Sequence, residues 1–346
     1  MQPPPPPPTF TTIDAPGAGS TSPEGTFGFG VNSKGDIAAY FIDSNHVVHG
    51  FIRNSSGTIT TVDAPGAGTA QNLGTEVVGI NASGETVGFI FDAQDTEHSY
   101  VRSSGGTFTS FDPPGAIGSV ALCINDGGSV AGGFIDVGGA HGFVRAPGGT
   151  FTTIDPTGDA TQVRLVSPNQ INANGVITGF YFDTNTVSHA FVRDANGTVT
   201  VFDAPGAGTA SGLGTQARDV NRNGVIVGSF ATGVSGMIAV EHSFVRNSDG
   251  TFTVFDPPTA GSDGSAAFRI NDSGAIVGVS IDGNLIERGY LRNTDGTFID
   301  LDDPSAAQLP FSFTNLDTVP RGINASGAIV GLFSDPAGIR HAFIWQ

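Results

Sequence analysis

The chain has 346 residues, including 51 glycines and 26 phenylalanines, and carries a formal net charge of −18. This charge excludes nucleic acid and anionic lipid as expected partners, because both are negative and basic residues are scarce. The sequence has no apolar run long enough to predict a membrane-spanning helix, so we expect no membrane insertion. The single cysteine, Cys123, excludes an intramolecular disulfide.

The chain begins with a proline tract, Pro3 to Pro8, which predicts a stiff polyproline II segment. We interpret residues 1–8 as a leader or linker, trimmed from an upstream segment such as a signal peptide. Residues 9–346 are predicted to form one domain.

The domain is built from repeats. A hydrophobic residue followed by Asn-x-x-Gly recurs at spacings of 44 to 53 residues. Each copy precedes a strand-like phrase such as 85–92, then a His-x-aromatic-x-Arg phrase such as 98–102, then a relative of the decapeptide TFTTIDAPGA. Asn and Gly favour tight hairpins, so each repeat is predicted to hold four short strands. The repeated asparagines are Asn32, Asn81, Asn125, Asn172, Asn221, Asn271 and Asn324.

Four antiparallel strands in each of seven repeats predict an all-β, seven-bladed β-propeller, with a solenoid as the alternative. The last repeat stops after its third strand, and the first residues after the prolines resemble an isolated fourth strand. Residues 9–14 are therefore predicted to pair with residues 341–345, which would close the ring and remove an exposed sheet edge.

The phrases INASG, VG and H-x-F, with HAF itself at 189–191 and 341–343, resemble the HAF repeat, a probable extracellular repeat of bacteria. The resemblance extends over residues 9–346. It implies an extracellular or cell-surface location, and it supplies no catalytic residues. Two repeats depart from the pattern, with Arg288 in the position of the His and Trp345 in that of the terminal Arg.

The longer connections between strands are predicted to lie together on one face of the propeller, which we call the top face. They vary most in sequence, at 19–27, 232–241 and 305–320. Variable loops on a rigid scaffold commonly carry recognition, so the top face is the predicted binding surface.

A histidine recurs between two aspartates in most repeats, and such a group can bind a divalent metal or transfer protons. Because the arrangement is repeated and Arg288 replaces one His, we interpret the triplets as structural hydrogen-bond ties and expect no metal. The triplets are Asp43, His49 and Asp63; Asp92, His98 and Asp112; Asp136, His141 and Asp155; Asp183, His189 and Asp203; and Asp335, His341 and Asp14.

Non-repeating polar residues on the predicted inner strands are candidates for ligand binding at the mouth of the channel. Arginine offers paired donors to carboxylate, sulfate or phosphate groups. The alternative is that these side chains only fill a hydrated channel. The candidates are Asn169, Gln170, Arg218, Asp219, Arg269 and Arg321.

Two functions remain open from the sequence. The favoured one is a non-catalytic extracellular or cell-surface module whose top-face loops bind a glycan, a peptide, a partner protein or a second copy of the chain. The other is a polysaccharide lyase or hydrolase acting on an acidic sugar at the channel mouth. No catalytic residue is assigned and no cofactor is expected, although isolated top-face aspartates leave weak calcium binding open.

Overall fold

The computed structural model describes residues 8–235, 238–308 and 317–346, which form strands joined by turns and one short 3-10 helix (Ala160–Gln162). The predicted all-β class is therefore confirmed. Within these ranges, no helix is long and apolar enough to cross a membrane. Most of the predicted linker, residues 1–7, lies outside the described residues.

The strands follow one another along the chain with short connections. They are β1 (Phe10–Ile13), β2 (Gly25–Val31), β3 (Ile37–Ile42), β4 (Val48–Arg53), β5 (Ile59–Val62), β6 (Gly74–Ile80), β7 (Thr86–Phe91), β8 (Glu97–Arg102), β9 (Phe108–Phe111), β10 (Gly118–Ile124), β11 (Val130–Asp136), β12 (Gly139–Arg145), β13 (Phe151–Ile154), β14 (Val163–Ile171), β15 (Ile177–Asp183), β16 (Ser188–Arg193), β17 (Val199–Phe202), β18 (Gly214–Val220), β19 (Ile226–Ser235), β20 (Ile238–Arg246), β21 (Phe252–Phe255), β22 (Ser265–Ile270), β23 (Ile276–Ile281), β24 (Glu287–Arg292), β25 (Phe298–Asp300), β26 (Thr318–Ile323), β27 (Ile329–Ser334) and β28 (Arg340–Trp345).

Consecutive strands pair antiparallel in meanders of four, such as β10-β11-β12-β13 and β22-β23-β24-β25, which are separate sheets. Single-residue parallel bridges, for example between Val48 and Gly74, join other meanders into sheets of eight and twelve strands. The first strand of each meander lines a central cavity, which receives residues from β2, β6, β10, β14, β18, β22 and β26.

The predicted Asn-x-x-Gly hairpins connect the first and second strand of each meander, and their glycines have positive φ, as at Gly35 (φ 85°). The asparagine of each turn is buried and has two functions. In Asn32, Oδ1 accepts the backbone N–H groups of Lys34 and Asp36. Its Nδ2 donates to the carbonyl of Asn81 in the next meander at 3.1 Å.

This second hydrogen bond is repeated around the whole cavity. Each amide donates to the carbonyl of the next asparagine, and Asn324 donates back to the carbonyl of Asn32 at 3.0 Å. We call these hydrogen bonds the asparagine ring. The donors are Asn32, Asn81, Asn125, Asn172, Asn221, Asn271 and Asn324.

Every innermost strand contains a β-bulge two residues before its end, for example between Ala217 and Asp219. The bulged residue is unpaired in the ladder and re-aims its side chain. The bulged positions are Phe29, Val78, Leu122, Asn169, Arg218, Phe268 and Arg321.

Adjacent meanders pack through apolar side chains on both of their faces. Phe143 is fully buried and contacts Phe111 of the preceding meander, with ring centroids 6.1 Å apart. Arg145, which ends β12, places its guanidinium over the same Phe111 ring at 4.6 Å. Cation–π contacts of this kind hold the outer parts of neighbouring sheets together.

The two ends of the chain meet in one sheet. β1 pairs antiparallel with β28, in a register that places Phe10 opposite Trp345 and Ile13 opposite Ala342. Gly25 at the start of β2 also bridges Arg340 at the start of β28. The predicted pairing of residues 9–14 with residues 341–345 is therefore present.

Deleting residues 1–16 should lower the melting temperature and promote aggregation, because it exposes the edge of β28. Deleting only residues 1–8 removes the prolines and leaves the β1–β28 pairing, so it serves as the control and should melt like the full chain. Equal melting temperatures for both deletions would contradict this view of the closure.

Candidate functional site

The recurring histidines lie at the end of the molecule opposite the asparagine ring. We call this end, which carries the longer connections and corresponds to the predicted top face, the loop end. In the five predicted triplets, His Nδ1 lies 2.7 to 3.0 Å from the aspartate that follows the fourth strand. His Nε2 lies 3.2 to 4.0 Å from the aspartate that follows the second strand. The structure thus brings together every predicted triplet, including His341 with Asp14 from the other end of the chain.

Arg288 makes the same two contacts with its guanidinium, to Asp282 at 2.9 Å through Nε and to Asp302 through Nη1. A sixth histidine, His242, lies 2.7 Å from Asp256 and was missed as a triplet because Thr232 stands near the place of its second aspartate. Within the described ranges, no group of three or more His, Cys, Asp or Glu side chains has a geometry that could hold a metal ion.

Hydrogen bonding sets the charge state of these groups. The backbone N–H groups of Thr96 and Gln94, together with His98, hold the pKa of Asp92 below its usual value. The hydrogen bond to Asp112 raises the pKa of His98, against the opposing effect of burial. His98 is therefore stabilised in its protonated form by two carboxylates.

Four of the six predicted channel residues line a cavity near the asparagine ring, whereas Arg218 and Arg321 are not among its lining residues. Asn169, Gln170, Asp219 and Arg269 line a cavity of about 270 Å³ there. Asp219 is buried and accepts the backbone N–H of Ile270 from the next meander at 2.8 Å. Burial raises the pKa of Asp219, although the charge of Arg269 opposes this shift.

The β-bulges show which residues of β18, β22 and β26 are structurally equivalent, and this differs from the alignment of the arginines by sequence. Arg218 and Arg321 share the bulged position with Phe268, and Arg269 occupies the following position. Both bulged guanidiniums lie over the Phe268 ring, at 5.8 Å for Arg218 and 5.3 Å for Arg321. Arg218 donates to Gln216 at 2.6 Å, and Arg269 donates to the Phe268 carbonyl at 2.9 Å.

The three arginines are close enough to influence one another. Burial lowers the pKa of Arg321 to about 10; the charge of Glu287 opposes this shift, whereas those of Arg218 and Arg269 add to it. Burial likewise lowers the pKa of Arg218, while Glu241 opposes it.

Glu241 and Glu287 belong to a set of residues that the sequence analysis missed. They occupy the position immediately before the recurring histidine or its replacement Arg288, at or near the start of the third strand. The sequence signal was present, because this position does not repeat. Its residues are Val48, Glu97, Ala140, Ser188, Glu241, Glu287 and Arg340.

A second cavity, of about 520 Å³, opens at the loop end between β8, β10, β11 and β14. Apolar side chains line most of it, including Val120, Phe134 and Leu165, and its rim carries Asp95 and Glu97. Ile117 and Ile135 are 61% and 54% exposed there, although aliphatic residues of this size are normally buried. We call this cavity the loop-end pocket.

Two short connections create the loop-end pocket. Residues 112–117 join β9 to β10, whereas residues 63–73 join β5 to β6. The N–H of Ile117 donates to the carbonyl of Ile135 near the end of β11, as the N–H of Gly68 donates to the carbonyl of Phe91 at the end of β7. After Ile117, however, β10 begins at once, and the chain has no counterpart of residues 69–73. In the equivalent connection 203–213, Leu213 is buried and its carbonyl accepts the N–H of Ser188.

The second short connection is the turn between β11 and β12, which consists of Val137 and Gly138 only. Val137 is 98% exposed as a result. The shortest repeat spacing, 44 residues between Asn81 and Asn125, was the sequence signal of the shorter β9–β10 connection.

The variable top-face segments are only partly described. Residues 232–241 belong largely to β19 and β20, which extend as a hairpin, and residues 236–237 lie outside the described residues. Residues 309–316, within the predicted loop 305–320, also lie outside the described residues. Residues 19–27 are described and include the start of β2.

Comparison with solved structures identifies the fold. A catalytically inactive virginiamycin B lyase from Staphylococcus aureus with quinupristin matches 98% of this chain and 99% of its own, with 12% identity and a TM-score of 0.58. The selenomethionine form of that lyase has 11% identity and a TM-score of 0.59. These neighbours are β-propeller proteins. The chain has a β-propeller fold.

At identities this low, the likeness concerns the fold alone. A prolyl endopeptidase structure also matches the propeller, with 9% identity and a TM-score of 0.61 over 94% of this chain and 46% of that one. No family model and no curated protein matches the sequence, so membership of the HAF repeat family stays a prediction.

Replacing His141 with Ala should lower the free energy of unfolding by about 1–3 kcal/mol, because Asp136 and Asp155 lose their shared donor. The pKa of His141 is raised in the folded state by these two carboxylates, which outweigh burial. Its contribution should be complete below the unfolded pKa of about 6.5 and be lost as pH rises through the higher folded value. Chemical denaturation of both proteins across this pH range measures the difference.

His141→Arg is the matched control, because Arg288 makes the equivalent contacts. It should restore most of the stability, and its contribution should not depend on pH in this range. A stability of the wild-type protein that changes on adding a chelator would instead indicate that the triplets bind metal.

Proposed function

We propose that the chain is a non-catalytic binding module, a closed seven-bladed propeller that recognises a peptide, glycan or partner protein through its loop end. The proposal includes export to the cell surface or the extracellular space, in line with the resemblance to the HAF repeat. The site is the loop-end pocket, and the cavity near the asparagine ring is secondary.

The four-stranded meanders and the hydrogen bonds between their turns support the closed ring. Seven asparagines donate in succession, and the last donates to the first. An open solenoid would leave the first and last meander without this contact. β1 supplies the fourth strand beside β28, which supports a blade shared by both ends of the chain.

One observation carries the binding function, namely the exposed apolar side chains around the loop-end pocket. A soluble protein rarely leaves a continuous apolar surface uncovered unless it binds something there. Ile117 is exposed because its connection is short, so covering it would need no more than a longer loop of the kind that the chain already uses elsewhere. The open pocket is therefore best explained as a binding site.

The second candidate is a lyase or hydrolase acting on an acidic sugar, and the arginines around Phe268 favour it. Guanidiniums in a partly buried cavity could hold a sugar carboxylate, and Glu287 lies near Arg321 as a proton-transfer group. Burial raises the pKa of Glu287 to about 7. A turnover screen on acidic oligosaccharides with wild type and Arg218→Gln tests this, because only an enzyme would show activity that the variant loses.

Replacing residues 112–117 with the sequence of residues 63–73 should close the loop-end pocket while preserving the fold. The graft copies a connection that the chain already uses between the equivalent strands. Binding in peptide and glycan array screens should be lost, while the melting temperature stays close to that of wild type.

The control is Val254→Ser, which removes an exposed valine from the outer strand β21, away from the pocket. It should bind like wild type. If the grafted protein is folded and still binds the same ligands, the site lies elsewhere and the proposal is wrong.

A further inference from the structure

The loop-end pocket has an acidic wall without a basic counterpart. Asp95 and Glu97 line the pocket, and Glu76 of the neighbouring inner strand β6 is close enough for the charge of Glu97 to raise its pKa. Within the part of the chain that the structure describes, neither glutamate forms an ion pair with Lys, Arg or His, and no basic side chain lines the pocket.

The equivalent glutamates in other meanders are compensated. Glu241 occupies the position of Glu97, and its charge raises the pKa of Arg218 against the effect of burial. Glu287 occupies the same position, where the charges of Arg321 and Arg340 lower its pKa against the effects of burial and of Asp317. Among the three glutamates at this position, Glu97 is the one whose charged neighbours, Glu76 and Asp95, are both acidic. Carboxylates whose charged neighbours are all acidic favour the binding of a cationic group from a partner molecule.

The electrostatics of the wall point in the same direction. Burial raises the pKa of Glu76 to about 7, and the charge of Glu97 contributes to the shift. Burial and the charge of Asp95 raise the pKa of Glu97. Ionising both groups is therefore unfavourable in the free protein, and a bound cation would relieve this repulsion.

The polar groups of the pocket are less suited to a sugar. The hydroxyl of Ser119 already donates to Asp112 at 2.7 Å, and the hydroxyl of Ser167 donates to Asn169 at 2.9 Å. Away from Asp95, Thr96 and Glu97, sugar hydroxyls would therefore meet mainly apolar atoms and lose hydrogen bonds to water. A second copy of the chain is also unfavourable, since each copy carries a net charge of −18.

We propose that the loop-end pocket binds a protein or peptide segment in which a Lys or Arg side chain is flanked by aliphatic residues. The aliphatic side chains cover Ile117, Ile135 and Leu165, and the cationic group lies against Asp95 and Glu97, the two carboxylates that line the pocket. This inference rests on the proposed binding function and adds the chemistry of the partner.

The test uses end-capped synthetic peptides with a central residue between leucine and isoleucine, where the central residue is lysine, norleucine or glutamate. Affinities are measured by calorimetry at low and high salt. The lysine peptide should bind about tenfold or more tighter than the norleucine peptide, and the glutamate peptide more weakly than both. Added salt should reduce the preference for lysine.

Two variants separate the charge from the pocket. Glu97→Gln should abolish the preference for lysine over norleucine, whereas Glu241→Gln, the matched change at the compensated position, should leave it unchanged. Ile117→Gly, which copies Gly68 and Gly208, should weaken both peptides.

The outcomes distinguish this inference from the function on which it rests. Equal binding of lysine and norleucine peptides, with both lost in Ile117→Gly, would overturn cation recognition and leave the binding pocket standing. Binding of glycans alone, or self-association that Ile117→Gly abolishes, would overturn the peptide partner. If the folded protein binds none of the probes, the cationic apolar partner is wrong; the loop graft then tests the pocket independently.

Discussion

The fold depends on the hydrogen bonds of the asparagine ring. Each buried amide closes its own hairpin through Oδ1 and ties that hairpin to the next through Nδ2, so its polar atoms are satisfied without water. Removing the side chain of Asn32, for example, would leave the N–H groups of Lys34 and Asp36 without their acceptor and would remove the hydrogen bond to the Asn81 carbonyl that joins two meanders. Few other residues could replace asparagine, because the position needs both an acceptor and a donor at this reach.

This constraint fixes one end of every meander and leaves the other end free to vary. At the ring, turns have one length and one geometry, so the residues that differ can only change side chains in the cavity. At the loop end, connections lengthen or shorten without disturbing the hydrogen bonds of the ring. The loop-end pocket is the direct consequence, because it lies where two connections of adjacent strands are both short.

Charge is distributed around the cavity in the same uneven way. Arginines from β18, β22 and β26 surround Phe268, with Glu241 and Glu287 nearby, so one side of the cavity is internally compensated. The side formed by β6 and β8 presents Glu76 and Glu97 with no guanidinium beside them. The protein thus places arginines beside its carboxylates on one side, whereas on the other side Glu97 lines an open apolar pocket with only acidic charged neighbours.

Much of this architecture could be predicted from the sequence. The turn motif, the strand lengths, the pairing of the two chain ends and the Asp-His-Asp contacts all follow from local patterns with a fixed spacing. The asparagines were recognised as turn residues, but their contact with the next meander is tertiary and leaves no local signature. The bulges also mislead an alignment by sequence, since Phe268 and not Arg269 takes the place of Arg218.

The loop-end pocket was harder to predict for a related reason. A repeat spacing of 44 residues shows that something is missing, but not which side chains become exposed. Glu97 precedes a conspicuous histidine and is one of many acidic residues. Its significance appears only when its neighbours in space, Glu76 and Asp95, are known to lack a cation.

Native-state amide hydrogen exchange tests the central claim most directly, namely that the asparagine ring holds the meanders together as one unit. The amides that donate to asparagine Oδ1, such as those of Asp36, Glu85 and Ser129, should all exchange only through global unfolding and with the same free energy. Amides of the short β9–β10 connection at the loop end should open at lower free energy. Exchange of the turn amides by separate local openings, with a different free energy in each repeat, would contradict the account.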